Sequence, residues 1–270
     1  MKLAVLPLLA LLAACNQQAP GEPVTRIDLE NPGLNTPPAP TPTATIASAC
    51  EAVTFDGSAF THCVADPARH RITTMLGNPP YRSFKAFAAA RPATAPRVAF
   101  AMNAGMFDDA GKPIGYYVKD GTRGHELNRN DGAGNFHMKP NGVFFGTGGT
   151  WRVMTADDFY AKVGDRPDFG TQSGPMLLVG GKLHPEITDD GPSRTIRNGV
   201  GVDAAGRAHF VISDGPVSFG KLARYFRDVL KTPDALYLDG SVSGLWDPGA
   251  NRMDARAPIG PMIVIEEKPS

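Results

Sequence analysis

Asp214-Gly215 and Asp239-Gly240 each follow a short apolar run, 209–212 and 235–238, so each carboxylate stands just past a predicted strand. A rigid element then holds the side chain beside accessible backbone. Two carboxylates on one sheet edge can act as proton donor and as base or nucleophile, chemistry that requires no cofactor. The same oxygens could hold a divalent cation such as Ca2+ or Mg2+, because hard cations take carboxylate and carbonyl ligands, with no EF-hand loop present. Three further motifs of small residues fall at predicted strand ends: Asn103-Ala104-Gly105-Met106-Phe107, Ser173-Gly174-Pro175 and Arg197-Asn198-Gly199-Val200-Gly201. Arg197 carries a planar fork of donors suited to an oxyanion, and amides around Gly174 and Gly199 could add hydrogen bonds. Against this stands a plain reading, in which each Asp-Gly is a turn and Arg197 a structural ion pair.

Other chemistries have weaker footing. Ser218-Phe219-Gly220-Lys221 has the Ser-x-x-Lys spacing of an activated serine, but Ser213-Asp214-Gly215 lacks the companion Asn and Lys231-Thr232-Pro233 blocks a Lys-Thr-Gly strand. An N-cap role explains Ser218 more simply. His125, His137 and His184 lack metal-ligand spacing and read as loop histidines. Trp151, Trp246 and Tyr237 could stack on sugars or pack a core.

The elements that must position these residues are mostly strands. Apolar runs bounded by Gly, Pro, Asn or Asp predict strands over 52–55, 71–76, 98–102, 114–118, 142–145, 176–179, 199–202, 209–212, 235–238 and 262–265. Residues 203–207 read as a hairpin turn. Helical spacing is clearest over 219–230, with Ser218 as N-cap, and shorter helices are expected at 83–90 and 156–163. Strands greatly outnumber helices, so the expectation is α+β: a single domain with a mixed β-sheet and a few packed helices.

Taken in order, Asn-x-Gly-x-Phe, Ser-Gly-Pro-x-Leu, Arg-x-x-x-Gly-Val, Asp-Gly, an amphipathic helix and Leu-Asp-Gly resemble the phosphodiester glycosidase family, which includes bacterial exopolysaccharide-associated proteins. The likeness spans about residues 98–247. It implies removal of a sugar from a sugar-1-phosphodiester. By position Asn103, Ser173, Gly174, Arg197, Asp214 and Asp239 fall on its motifs; with the residue chemistry above, Asp239 and Asp214 are the expected catalytic pair and Asn103, Ser173, Gly174, Arg197, Gly199 and Ser241 the expected substrate-binding residues. At the last motif the chain reads Leu238-Asp239-Gly240-Ser241-Val242-Ser243, where many members have Leu-Asp-Gly-Gly-Gly-Ser. Two carboxylates flanking a glycosidic bond suit this chemistry, and phosphate, a weakly basic leaving group, shifts the burden toward binding its charge. The partner implied is a phosphorylated glycan or envelope polysaccharide. The alternative is a non-catalytic protein that binds such a polysaccharide in the same cleft.

The amino terminus carries Lys2, an apolar run over 3–14 without acidic residues, and the ending Leu12-Ala13-Ala14-Cys15, which resembles a lipobox. Residues 1–14 therefore read as a lipoprotein signal peptide and Cys15 as the lipidation site, the membrane anchor. Asn16 favours the outer membrane, facing the periplasm. Residues 15–48 are rich in Pro, Ala and Thr and read as an extended tether, with the folded domain over 49–268. Export makes a Cys50–Cys63 disulfide plausible, with two buried thiols as the alternative. The 27 Lys and Arg balance 27 Asp and Glu, and no basic excess exists to grip nucleic acid.

Overall fold

The computed structural model describes residues 47–269. The segment read as a signal peptide, Cys15 and the segment read as a tether, up to residue 46, lie outside the described residues. Ser48 already belongs to the fold, since its Oγ donates to Asp247 Oδ2 at 2.5 Å.

Strands, numbered in chain order, divide among three sheets. The largest holds β1 (Cys50–Phe55), β2 (Ser58–Ala65), β10 (Met176–Val179), β11 (Lys182–Leu183), β12 (Asn198–Val202), β13 (Ala208–Ser213) and β14 (Ala235–Tyr237), in the lateral order β1-β2-β13-β12-β14-β10-β11. The second holds β3 (His70–Met75), β4 (Val98–Asn103), β15 (Gly244–Asp247), β16 (Arg252–Ala255) and β17 (Met262–Glu267), ordered β16-β15-β4-β17-β3. The third holds β5 (Tyr117–Lys119), β6 (Thr122–His125), β7 (Gly142–Thr147), β8 (Thr150–Thr155) and β9 (Phe169–Ser173), ordered β6-β5-β9-β7-β8. The α+β expectation of sheets with few helices holds. The single sheet becomes three, and the strand pairings among the described residues are antiparallel.

One face of every sheet feeds a common core. Phe210 and Leu236 from the first sheet, Phe100 and Ile263 from the second, and Phe144 and Phe169 from the third meet there. Each outer face is covered by one helix. α1 (Phe84–Ala90) lies on the second sheet through Phe84 and Phe87, α2 (Ala156–Lys162) on the third through Phe159, and α3 (Phe219–Arg224) on the first through Leu222 and Ala223. Ser83, Thr155 and Ser218 cap them, each accepting from the backbone N–H three residues on. α3 runs on into a π turn at Tyr225–Val229.

The strand expected at 114–118 shrinks to Tyr117–Lys119 because the preceding backbone bonds elsewhere, Ile114 N–H to Met106 and Tyr116 N–H to the Gln172 side chain. The 203–207 turn is present, closed by Asp203 N–H to Arg207 and with Gly206 at φ 79°. Cys50 and Cys63 sit opposite one another in the β1–β2 register and are joined as a disulfide.

Four histidines are buried: His62, His70, His184 and His209. His62 Nε2 and His209 Nδ1 lie 2.9 Å apart, and His209 Nε2 is 3.0 Å from Asp203 Oδ2. Burial holds all four imidazoles below their ordinary value of 6.5. In the interval between the depressed folded value and 6.5, the unfolded chain binds more protons than the folded one, so stability rises with pH there. It is complete above the unfolded value and is lost as pH falls through the folded values. The expected outcome is a urea midpoint that drops steadily from about pH 7 to about pH 5. A flat midpoint across that interval would contradict it.

Candidate active site

Three sheets meet where β4, β9, β12 and β14 end, and a single side chain ties the junction. Asn103, last in β4 and 1% exposed, donates from Nδ2 to the Asp239 carbonyl at 2.8 Å. Its Oδ1 accepts from Asn198 Nδ2 at 2.8 Å and from Gly244 N–H at 3.0 Å. Asn198 Oδ1 in turn accepts from the Ser243 hydroxyl at 3.1 Å. The Ala104 carbonyl accepts the Asp239 N–H, and Gly105 N–H donates to Thr171 Oγ1 in β9. Both flanks of the 239–244 segment are thereby fixed.

Asp239 caps the 3-10 turn Gly240–Val242. It is 8% exposed, and its Oδ1 receives the Ser241 N–H at 3.1 Å and the Ser241 hydroxyl at 2.6 Å. Oδ2 has no protein partner among the described residues. Burial pushes the carboxyl above its ordinary range, and the two bonds from Ser241 pull back against that. The result is a stationary carboxyl with one oxygen held and one free, and with raised basicity.

The β12–β14 register pairs Gly199 with Tyr237, and Leu238 N–H donates to the Asn198 carbonyl, so Arg197 and Asp239 leave the ladder at the same edge of the sheet. Arg197 is 1% exposed. Nε donates to the Val217 carbonyl at 2.9 Å, Nη1 to the Tyr237 hydroxyl at 3.2 Å, and Nη2 to the Ser193 carbonyl and hydroxyl at 3.1 and 3.0 Å. The guanidinium lies 3.5 Å over the Phe219 ring. Every one of these partners is neutral, and no carboxylate pairs with Arg197 among the described residues. Burial lowers its pKa, the signature of a cation short of compensating charge.

Several expectations are corrected by this geometry. Arg197 has no open fork, because four of its five N–H groups are taken. The salt-bridge reading fails as well, since its partners are uncharged. Asn103 commits both acceptor places of Oδ1 and one Nδ2 N–H to the framework, which makes it a positioning residue. Gly199 lies mid-ladder between Val211 and Tyr237, and a Cβ there would press on Leu177 and Phe226, so its glycine serves packing. Gly174 lets the 135–141 loop approach, since a Cβ would meet the Phe136 carbonyl and Asn141. Ser241 holds Asp239 first. Ser173 is fully buried at the end of β9, and its Oγ is without a partner among the described residues.

Asp214 does not join Asp239. β12 lies between β13 and β14, which places the two Asp-Gly steps two strand spacings, about 10 Å, apart. The Asp214 carboxylate is 36% exposed and bonded to Thr61 and to Arg252 Nη1 at 3.1 Å. The two aspartates therefore share no cation site, and among the described residues no group of three or more His, Cys, Asp or Glu could hold a metal. Ser218 accepts from Lys221 N–H as the cap, while Lys221 Nζ reaches Asp56 and Ser58, so no activated serine forms. Trp151 and Tyr237 are buried in the core and Trp246 packs on Phe87. Cavities of about 470 and 500 Å3 open elsewhere, beside His70 and Trp151 and beside Tyr116 and Tyr160.

Sequence reasoning missed Tyr237 as a polar participant. Its hydroxyl occupies the space that a Cβ on Gly240 would need. The available signal was a buried-looking Tyr three residues ahead of an obligatory Gly.

Residues 96–266, which contain this junction, match the family model for phosphodiester glycosidase. The chain belongs to the phosphodiester glycosidase family. The chain is 36% identical over 172 residues to the uncharacterized protein YigE of Escherichia coli (strain K12), covering 64% of this chain and 67% of that protein. The fold is similar to the zebrafish N-acetylglucosamine-1-phosphodiester alpha-N-acetylglucosaminidase catalytic domain auto-inhibited by its pro-peptide, with TM-score 0.54, 17% identity, and 83% and 87% of the two chains covered. It is also similar to a hypothetical protein from Synechocystis, with TM-score 0.50, 16% identity, and 81% and 61% covered. Asn103, Ser173, Arg197, Asp214 and Asp239 all fall inside the glycosidase match.

Replacing Asn103 by Ala strands the Asp239 carbonyl, the Gly244 N–H and the Asn198 amide in a buried place. Denaturant unfolding should show a loss of about 3 kcal/mol, the cost of leaving such groups unsatisfied. A loss below about 1 kcal/mol would mean that the junction does not depend on this side chain.

Proposed function

We propose that the domain hydrolyses a sugar-1-phosphodiester in a glycan or glycolipid, cleaving between the anomeric carbon and the phosphate oxygen to release the sugar and leave a phosphomonoester. The observation that carries this reading is one sheet edge that bears both a buried carboxyl with a free oxygen, Asp239, and an uncompensated cation, Arg197, with the Tyr237 hydroxyl bonded to the guanidinium. The cation supplies the field that an anionic phosphodiester needs. Asp239 supplies the proton transfer: ionised, it takes the proton of the water that attacks the anomeric carbon, while the carbon–oxygen electron pair leaves on phosphate. Burial strengthens it as a base. Because phosphate leaves as a weak base, a second carboxylate as acid is dispensable, which agrees with Asp214 being held by Arg252. Family membership supports the substrate class.

Sugar release from a panel of sugar-1-phosphodiesters tests the reading. Asp239→Asn should lower turnover about 100-fold or more, whereas Asp214→Asn should change it no more than about threefold. Turnover of the wild type should fall on the acid side, through a value above the ordinary aspartate 3.8, as Asp239 takes up its proton. Equal losses in the two variants would restore a paired-carboxylate mechanism. Glycan binding with no sugar released from any donor would favour a polysaccharide-binding protein instead.

The proposal extends to the cell envelope, with the domain tethered through a lipidated Cys15 at the outer membrane and acting on exopolysaccharide or another envelope glycan. Its support is the apolar run over 3–14 ending in Leu12-Ala13-Ala14-Cys15, followed by the Pro-rich segment. The protein should partition into the detergent phase and Cys15→Ala into the aqueous phase. Identical partitioning of the two would contradict the anchor.

A further inference from the structure

Tyr237 is 1% exposed and ends β14 immediately before the Asp239 turn. Its phenol oxygen accepts Nη1 of Arg197 at 3.2 Å and lies against Gly240. A phenol oxygen accepts and also carries one proton of its own to donate. Arg197 can only donate, so the hydroxyl proton must go to some other acceptor. Among the described residues no protein acceptor meets that proton. Buried hydroxyls are rarely left this way, because an unmet donor costs stability.

The surroundings indicate what the missing acceptor is. A guanidinium with only neutral partners stands behind the hydroxyl, and its N–H polarises the oxygen so that the O–H becomes a stronger donor. The ring is fixed edge-on to Phe219, with centroids 4.7 Å apart, and Phe219 also underlies Arg197. A neutral carbonyl would satisfy the hydroxyl but would leave the Arg197 charge uncompensated. An oxyanion satisfies both.

We propose that Tyr237 is a binding residue of the site, donating its hydroxyl to a phosphoryl oxygen of the bound ligand and relaying to it the charge of Arg197. The ligand class rests on the phosphodiester reading above; the call for an anion rests on the hydrogen-bond arrangement alone. Gly240 then has a second reason to lack a side chain, since a Cβ would displace the hydroxyl.

The test places 3-fluorotyrosine at position 237 alone, in the otherwise unaltered protein, and follows its fluorine resonance as methyl phosphate is added. Saturable movement of the resonance is expected, with a methyl glycoside lacking phosphate causing none. Tyr237→Phe, which keeps the ring on Phe219, should bind methyl phosphate about 10-fold or more weakly, the loss of one charge-assisted hydrogen bond. A resonance that stays fixed up to high methyl phosphate overturns the proposal, whether or not sugar is released from phosphodiesters. Movement without hydrolysis of any donor would uphold Tyr237 and count against the hydrolase reading instead.

Discussion

The Asn103 side chain is the constraint on which the site depends. Its three hydrogen bonds join the end of β4 to β12, to the Asp239 turn and to the start of β15, so two sheets are fastened at a buried point. An amide can do this because it presents donor and acceptor on one rigid plane, and because each partner would otherwise be an unmet polar group in the core. The third sheet is fastened through Thr171 and Gly105. A reactive carboxyl placed on a turn would ordinarily wander; here both flanks of the turn are held by the framework. The hydrophobic core beneath, shared by all three sheets, makes that framework stiff.

Electrostatics set the character of the place. Burial acts on Asp239 and Arg197 in opposite directions, raising one and lowering the other, and in both cases it disfavours charge. Although they lie at the same edge of the sheet, no ion pair between them is formed among the described residues, and the Tyr237 hydroxyl bonds to the guanidinium instead. An unquenched cation at the same edge as a carboxyl with a free oxygen stores the capacity to bind an anion and to move a proton. A direct salt bridge would have spent both. Asp214 illustrates the contrast: exposed, paired with Arg252 and bonded to Thr61, it has the surroundings of a structural surface carboxylate.

Much of the fold was legible in the sequence. Runs such as 98–102, 176–179 and 262–265 are apolar and abruptly bounded, and they form β4, β10 and β17. The capped helix over 219–224 followed from apolar spacing and Ser218. β2 and β9 were missed because His62, Thr61, Thr171 and Gln172 interrupt the pattern; their polar groups are satisfied by partners distant in sequence, such as His209 and Tyr116. The division into three sheets was not readable for the same reason, since β2 pairs with β13 and β4 with β17. At the site, the residue types at strand ends were legible but lateral strand order was not, and that order puts β12 between the two Asp-Gly steps and so keeps Asp214 and Asp239 apart. Arg197 was recognised by type; that neutral groups would consume its donors depends on Ser193, Val217 and Tyr237, which only the fold assembles.

The central claim is that one anion-accepting, proton-transferring site lies at the three-sheet junction. A crystal structure of the protein with a non-hydrolysable sugar-1-phosphonate tests it most directly. The account requires phosphonate oxygens within hydrogen-bonding distance of the Tyr237 hydroxyl and the anomeric carbon beside Asp239 Oδ2. A ligand seated instead in the cavity beside His70 and Trp151, with the junction empty, would contradict it.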